Sequence, residues 1–84
     1  MSTLVHHLKI QTEFFEAVNK GLKKFEIRRN DRDFKIGDWV FLENFNPKTN
    51  SYEPGIIKVE IIYIIEGGQF GIEEGFIIFG FNKI

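Results

Sequence analysis

"IIKVEIIYII", residues 56–65, is the stretch on which the fold turns. Ile57, Val59 and Ile61 alternate with Lys58 and Glu60, the period of a strand with one wet face. From Ile61 to Ile65 both faces are apolar. Ten such residues extend roughly 33 Å, long for a chain of 84 residues. A strand of this kind bends, as barrel strands do. "FIIFGFNKI", residues 76–84, is a second strand of the same character, with Gly80 where a close approach or a bulge is expected. Two such strands left with open edges invite aggregation, and closure into a small barrel removes the hazard.

The rest of the chain supplies the other walls. "LVHHLKI" (4–10) reads as a first strand, with Leu4, His6, Leu8 and Ile10 on one face and Val5, His7 and Lys9 on the other. "TEFFEAVNKG" (12–21) reads as a short helix, with Thr12 as N-cap, Glu13 and Glu16 near its positive end and Gly21 as its stop. Phe14 and Val18 share one helical face. "KKFEIRR" (23–29) alternates, with Phe25 and Ile27 expected inward and Lys24, Glu26 and Arg28 on the other side. "DWVFLENF" (38–45) is a further strand, with Trp39 and Phe41 expected in the core. Turn-forming residues fill 30–38, 46–55 and the Gly-rich 66–75. The expected fold is α+β: one domain over 1–84, a small mixed or antiparallel β-barrel of about five strands with one helix covering one opening.

Composition limits what such a domain can do. A chain this short buries only about 60–65% of its unfolded surface. Ten Phe, one Trp and two Tyr supply large side chains for a small core, and the absence of Cys excludes disulfides and thiolate chemistry. No signal peptide or membrane span is read, so a cytoplasmic location is expected. Net charge is −1, which argues against a general polyanion binder. The charge is segregated, however. Residues 20–35 hold seven basic and three acidic groups, and the remainder four basic and nine acidic. Local positive charge of this kind suits an anion site.

The segments "HLKI" (7–10, with His6 an alternative for the His), "FEAV" (15–18), G-x-K-x-F-E-I-R (21–28), N-D-R-x-F (30–34) and "GD" (37–38) together resemble an ASCH domain of the PUA-like superfamily, in a bacterial and phage branch. "GGQFGIEEGFIIFGF" (67–81) is similar to that branch as well. The resemblance spans nearly the whole chain. It implies a β-barrel with a cleft between helix and barrel, and relatives that bind RNA or modified nucleosides. Some ASCH relatives hydrolyse an acetylated cytidine with a Lys in the G-x-K element, a Thr three residues on and a Glu in the loop before the last strand. Those positions carry over to Lys23, to Glu26 in place of the Thr, and to Glu73 or Glu74. The change at Glu26 removes a hydroxyl from that machinery.

Each candidate has a plain structural reading beside the functional one. Glu26 and Arg28 form either a surface ion network worth roughly 0–1 kcal/mol or the lining of a cleft, where Glu26 accepts from base amino groups and Arg28 meets a phosphate or base edge. Lys23 is either solvated or a phosphate contact. Arg32, Arg29 and Lys35 read as a rim that speeds encounter. Asn30, Asp31 and Asp33 read as turn formers, one of which can orient Arg32. His6 and His7 point to opposite faces and cannot chelate one metal ion, so no metal is expected; His7 is placed toward the cleft and His6 partly buried. Phe70 either caps the barrel mouth or stacks on a base. Glu73 and Glu74 read as solvated, with a general-base role second. No P-loop or dinucleotide fingerprint is present, so no cofactor is expected.

The expected function is binding of RNA or a nucleotide-like ligand through Lys23, Glu26, Arg28 and Arg32, supported by His7 and Asn30, with unpaired RNA preferred. Two alternatives stand: a small amidohydrolase acting on an N4-acylated cytidine through Lys23 with Glu26, Glu73 or Glu74, and a protein-interaction module. Whether the protein is an enzyme, and its oligomeric state, stay open at this point.

Overall fold

A computed structural model describes residues 4–84; the first three residues of the N-terminal stretch read above for a signal peptide lie outside it. Six elements follow in order: β1 (Val5–Gln11), α1 (Thr12–Asn19), β2 (Phe25–Arg29), β3 (Trp39–Asn46), β4 (Ser51–Glu66) and β5 (Phe76–Lys83). The strands form one mixed sheet in the order β1-β3-β4-β5-β2. β1 runs parallel to β3, and every other pairing is antiparallel. The sheet is curled into a half-barrel, and α1 packs against β1, β3 and β4. No helix among the described residues is long and apolar enough to cross a membrane.

The long apolar strand is longer than its apolar run. β4 covers 16 residues and changes register twice. Opposite Asn44 it carries extra residues between Tyr52 and Ile56, and opposite Phe81 and Gly80 it bulges at Ile62. These irregularities bend the strand, as its length requires. Asn44 is buried at the first bend, where its Nδ2 donates to the Pro54 carbonyl (3.2 Å) and its Oδ1 accepts from Thr12 Oγ1 (2.7 Å). Both ends of a buried amide are thereby satisfied, and the start of α1 is pinned to the sheet.

The backbone ladder does not run right round. β1 and β2 are the two edges of the sheet, so the ladder draws a half-barrel where the sequence suggested a full one. The aggregation hazard is met differently: β4 and β5 lie inside the sheet, each paired on both sides. The edges are instead linked by one side chain, the Arg28 guanidinium of β2, which donates to the Lys9 carbonyl of β1.

Helix α1 begins at the expected cap residue itself, so the cap lies one residue earlier. Gln11 occupies the N-cap position without a side-chain cap, and Thr12 is the first helical residue. Phe14 is exposed, while Phe15 and Val18, at i and i+3, face the core. The stop at Gly21 is as the sequence implied. Gly21 has φ +76°, its N–H donates to the Val18 carbonyl, and the Leu22 N–H donates to the Ala17 carbonyl. That paired closure needs a left-handed residue at Gly21.

The core face comprises Leu8 and Ile10 of β1, Val40 and Leu42 of β3, Ile57, Val59 and Ile61 of β4, and Ile77, Phe79 and Phe81 of β5. Trp39 is therefore not in the core but exposed on the outer face, and Phe41 beside it is half-buried. Their neighbours Val40 and Leu42 point inward, because alternation admits only one of the two sets. Phe34, in the loop before β3, fills the remaining end of the core and lies 5.3 Å from the Phe79 ring.

The β4–β5 hairpin closes where Gly67 donates to the Phe76 carbonyl (2.8 Å). A Cβ at Gly67 would press on the Glu73 carbonyl oxygen, with the Phe76 carbonyl oxygen 2.7 Å away. Backbone oxygens cannot step aside as a side-chain tip can. Gly67→Ala is expected to cost about 2 kcal/mol by straining the hairpin end, read as a lower midpoint in chemical denaturation. An unchanged midpoint would show that the hairpin end has room to spare.

Candidate functional site

Strand β2 carries the site, and it does so with the face opposite to the expected one. Phe25 and Ile27 were expected inward, yet they are 50% and 53% exposed, whereas Glu26 is 6% exposed. The pairing explains the inversion. Glu26 lies opposite Phe79 and Arg28 opposite Ile77, both core residues, and side chains opposite one another share a face. Placing a carboxylate there is tolerable only with partners, and Glu26 has two. Its Oε1 takes the Lys23 ammonium and its Oε2 lies 3.3 Å from Arg28 Nε.

Each partner is itself held in place. Lys23 Nζ also donates to the Phe25 carbonyl at 2.6 Å and lies 5.0 and 5.5 Å from the ring centres of Phe25 and Phe14. The ammonium thus sits between two aromatic faces, which attract it electrostatically. The exposed position of Phe14 on α1 acquires a reason here. Arg28 spans from Glu26 to the Lys9 carbonyl. Lys23, Glu26 and Arg28 therefore converge at the gap between the two edge strands, just after the helix stop, and they are mostly buried. The surface ion network weighed for Glu26 and Arg28 does not describe them.

The other sequence candidates do not join this cluster. His7 lies on the outer face, with Nδ1 3.1 Å from Glu43 Oε2 and its ring edge-on to Phe41. His6 takes the inward place instead, with Nε2 2.8 Å from Asp38 Oδ2 and its ring 4.7 Å from Phe34. Arg32 is exposed, 4.0 Å from Asp31. Asn30 caps its own loop, its Oδ1 accepting from the Phe34 N–H at 3.2 Å. Asp38 acts likewise, accepting from the Lys35 N–H at 3.1 Å while holding His6. The N-D-R-x-F and Gly-Asp elements thus shape the loop and tie it to β1; they do not line the Lys23 cluster. Glu73 and Glu74 are exposed in the 66–75 loop, and neither pairs with Lys23, Glu26 or Arg28 among the described residues.

A wider concavity lies elsewhere. A groove of about 1090 Å³ opens between the 30–38 loop and the end of β4, and its charged lining among the described residues is Asp33, Asp38 and Glu66 with Lys35. Phe70 stands on its lip, 85% exposed at φ +54°, so it caps nothing. Size alone does not make this groove the anion site, because its carboxylates outnumber its cations. A smaller pocket of about 460 Å³ adjoins the Lys23 cluster at the C-terminal end of α1 and includes Lys24 and Lys83. Sequence reading missed three participants: the Lys9 carbonyl, the Phe25 carbonyl and Lys83. The first two are backbone atoms without a residue signature, and Lys83 lies 60 residues from Lys23 along the chain.

Residues 5–81 match the family model described as a domain of unknown function (DUF3850). A protein of Escherichia phage P2, described as an uncharacterized 12.9 kDa protein in the GpA 3' region, is 31% identical over 45 residues. The aligned part is 54% of this chain and 41% of the phage protein, so the chain spans less than half the length of that relative.

Proposed function

This chain belongs to the DUF3850 family, and from that starting point we propose that it is an ASCH-type, PUA-like barrel domain that binds RNA or a nucleotide-like ligand at the Lys23–Glu26–Arg28 cluster. One observation carries the reading: an edge strand buries a carboxylate and exposes Phe25 and Ile27, the reverse of what core packing alone favours. An inward carboxylate between two cations offers an acceptor for the exocyclic amino group of a base and donors for a phosphate. Ligand entry is a change of partners. A base amino group replaces one cation at Glu26, and the released Lys23 or Arg28 turns to the phosphate. The cluster lies where the two edge strands are not paired to each other, and unpaired bases can be splayed against such a site where a duplex cannot. Titration of short single-stranded RNAs is expected to show binding that weakens several-fold between about 50 and 200 mM salt, with duplexes weaker throughout. No detectable binding at the lower salt overturns the reading.

The direct Lys23–Glu26 contact also supports the hydrolytic alternative, because it sets an ammonium beside a carboxylate. Release of acetate from N4-acetylcytidine that is lost in Lys23→Ala would replace simple binding by amide hydrolysis.

A further inference from the structure

We propose that the pocket at the C-terminal end of α1 is a phosphate subsite continuous with the Glu26 cluster, so that the ligand is a nucleotide or RNA strand and not a free nucleoside. The inference rests on the reading of the Glu26 cluster given above and narrows its ligand class.

Lys23, Lys24, Lys83 and Asn82 line this pocket, and no carboxylate among the described residues does. In a chain with more acidic than basic groups, a concavity whose charged lining is three lysines favours an anion. The end of a helix normally works against that, since its free carbonyls carry partial negative charge. Here the conflict is removed locally: Lys83 Nζ donates to the Asn19 carbonyl at 2.6 Å, meeting one of those carbonyls and holding the ammonium at the pocket rim. Gly21 forms another part of the wall, and nothing lies within 4 Å of the place where its Cβ would be. The pocket is therefore open beside the lysines and not filled by a neighbouring side chain.

Lys23 connects the two halves. On one side its ammonium meets Glu26; on the other it lines the pocket. Before ligand entry Glu26 balances Lys23, so the first attraction for a phosphate comes from Lys24 and Lys83, which have no carboxylate partner among the described ion pairs, and Lys23 adds to it once released. The ligand that satisfies the whole site has an amino-bearing heterocycle at Glu26 and a phosphate toward Lys24 and Lys83.

The test is a set of NMR titrations of the intact protein with CMP, cytidine, UMP and inorganic phosphate. CMP is expected to bind on the order of tenfold more tightly than cytidine, with amide shifts at Gly21, Lys24, Asn82 and Lys83 that phosphate alone reproduces at higher concentration. Lys24→Gln and Lys83→Gln are expected to bring CMP down to the affinity of cytidine. Lys83→Arg, which keeps both the charge and the contact with the helix end, is expected to retain the preference. UMP, lacking the exocyclic amino group, is expected to bind more weakly than CMP. Equal affinity for CMP and cytidine, unchanged in the lysine variants, overturns the phosphate subsite while leaving the Glu26 cluster as a nucleoside site. Absence of any shift with all four probes overturns both. Loss of CMP binding in Lys83→Gln together with a collapsed spectrum is decided by Lys24→Gln, whose side chain is exposed: an unchanged CMP preference there overturns the subsite.

Discussion

Phe79→Ala is expected to remove about 3–5 kcal/mol of stability, the range for deleting a large buried aromatic side chain. Phe79 has no exposed surface. Its ring is the junction of an aromatic series, 5.3 Å from Phe34 and 6.2 Å from Phe81. Phe34 in turn lies 4.7 Å from His6, which is bound to Asp38. Truncation therefore leaves a cavity in the core and also loosens the 30–38 loop, which has Phe34 as its inward anchor. A domain of this length has about 4–13 kcal/mol of stability in all, so the variant retains little. Because Glu26 is the cross-strand partner of Phe79, ligand binding is expected to weaken as well. Chemical denaturation measures the loss, with Phe79→Leu as the milder control at about 1–2 kcal/mol. A loss under about 1 kcal/mol for Ala would mean that the half-barrel has no closed core at this point.

Glu26→Ala is expected to abolish the proposed nucleotide binding and to lower stability by about 2 kcal/mol. Breaking a buried ion pair by removing one partner costs about 3–5 kcal/mol when the remaining charge stays buried. Lys23 and Arg28 keep some solvent contact and can turn outward, which reduces the figure. In a domain of this size about 2 kcal/mol corresponds to a fall in melting temperature of roughly 8–16 °C. Arg28 would also lose the carboxylate that aligns it on the Lys9 carbonyl, so the link between the edge strands weakens. Glu26→Gln separates the two effects. The amide keeps the shape and much of the stability, but it cannot accept hydrogen bonds through both of its terminal atoms. Binding lost in both variants, with stability lost mainly in Ala, is the expected pattern. Binding retained in both would reduce the cluster to a structural ion pair and remove the basis of the proposed function.

The order of helix and strands, the helix stop at Gly21 and the gathering of cations between residues 20 and 35 were determined by the sequence alone. Their causes are local: alternation, a left-handed closure and charge counted along the chain all act within a few residues. Loop-forming roles for Asn30 and the pairing of Arg32 with Asp31 were legible for the same reason. Which face of β2 and of β3 turns inward was not. Alternation with period two specifies two sets of residues but not which set meets the core. Tertiary pairing decided that, placing Glu26 rather than Phe25 and Ile27 inside, and Val40 and Leu42 rather than Trp39 and Phe41, whereas the inward face of β1, with His6 among Leu8 and Ile10, was already readable. It also set β1 and β2 at opposite edges of one curled sheet, where Arg28 meets Lys9, and brought Lys83 beside Lys23. Contacts between residues far apart in the chain depend on strand order and curvature, which the whole core selects at once and no single segment encodes.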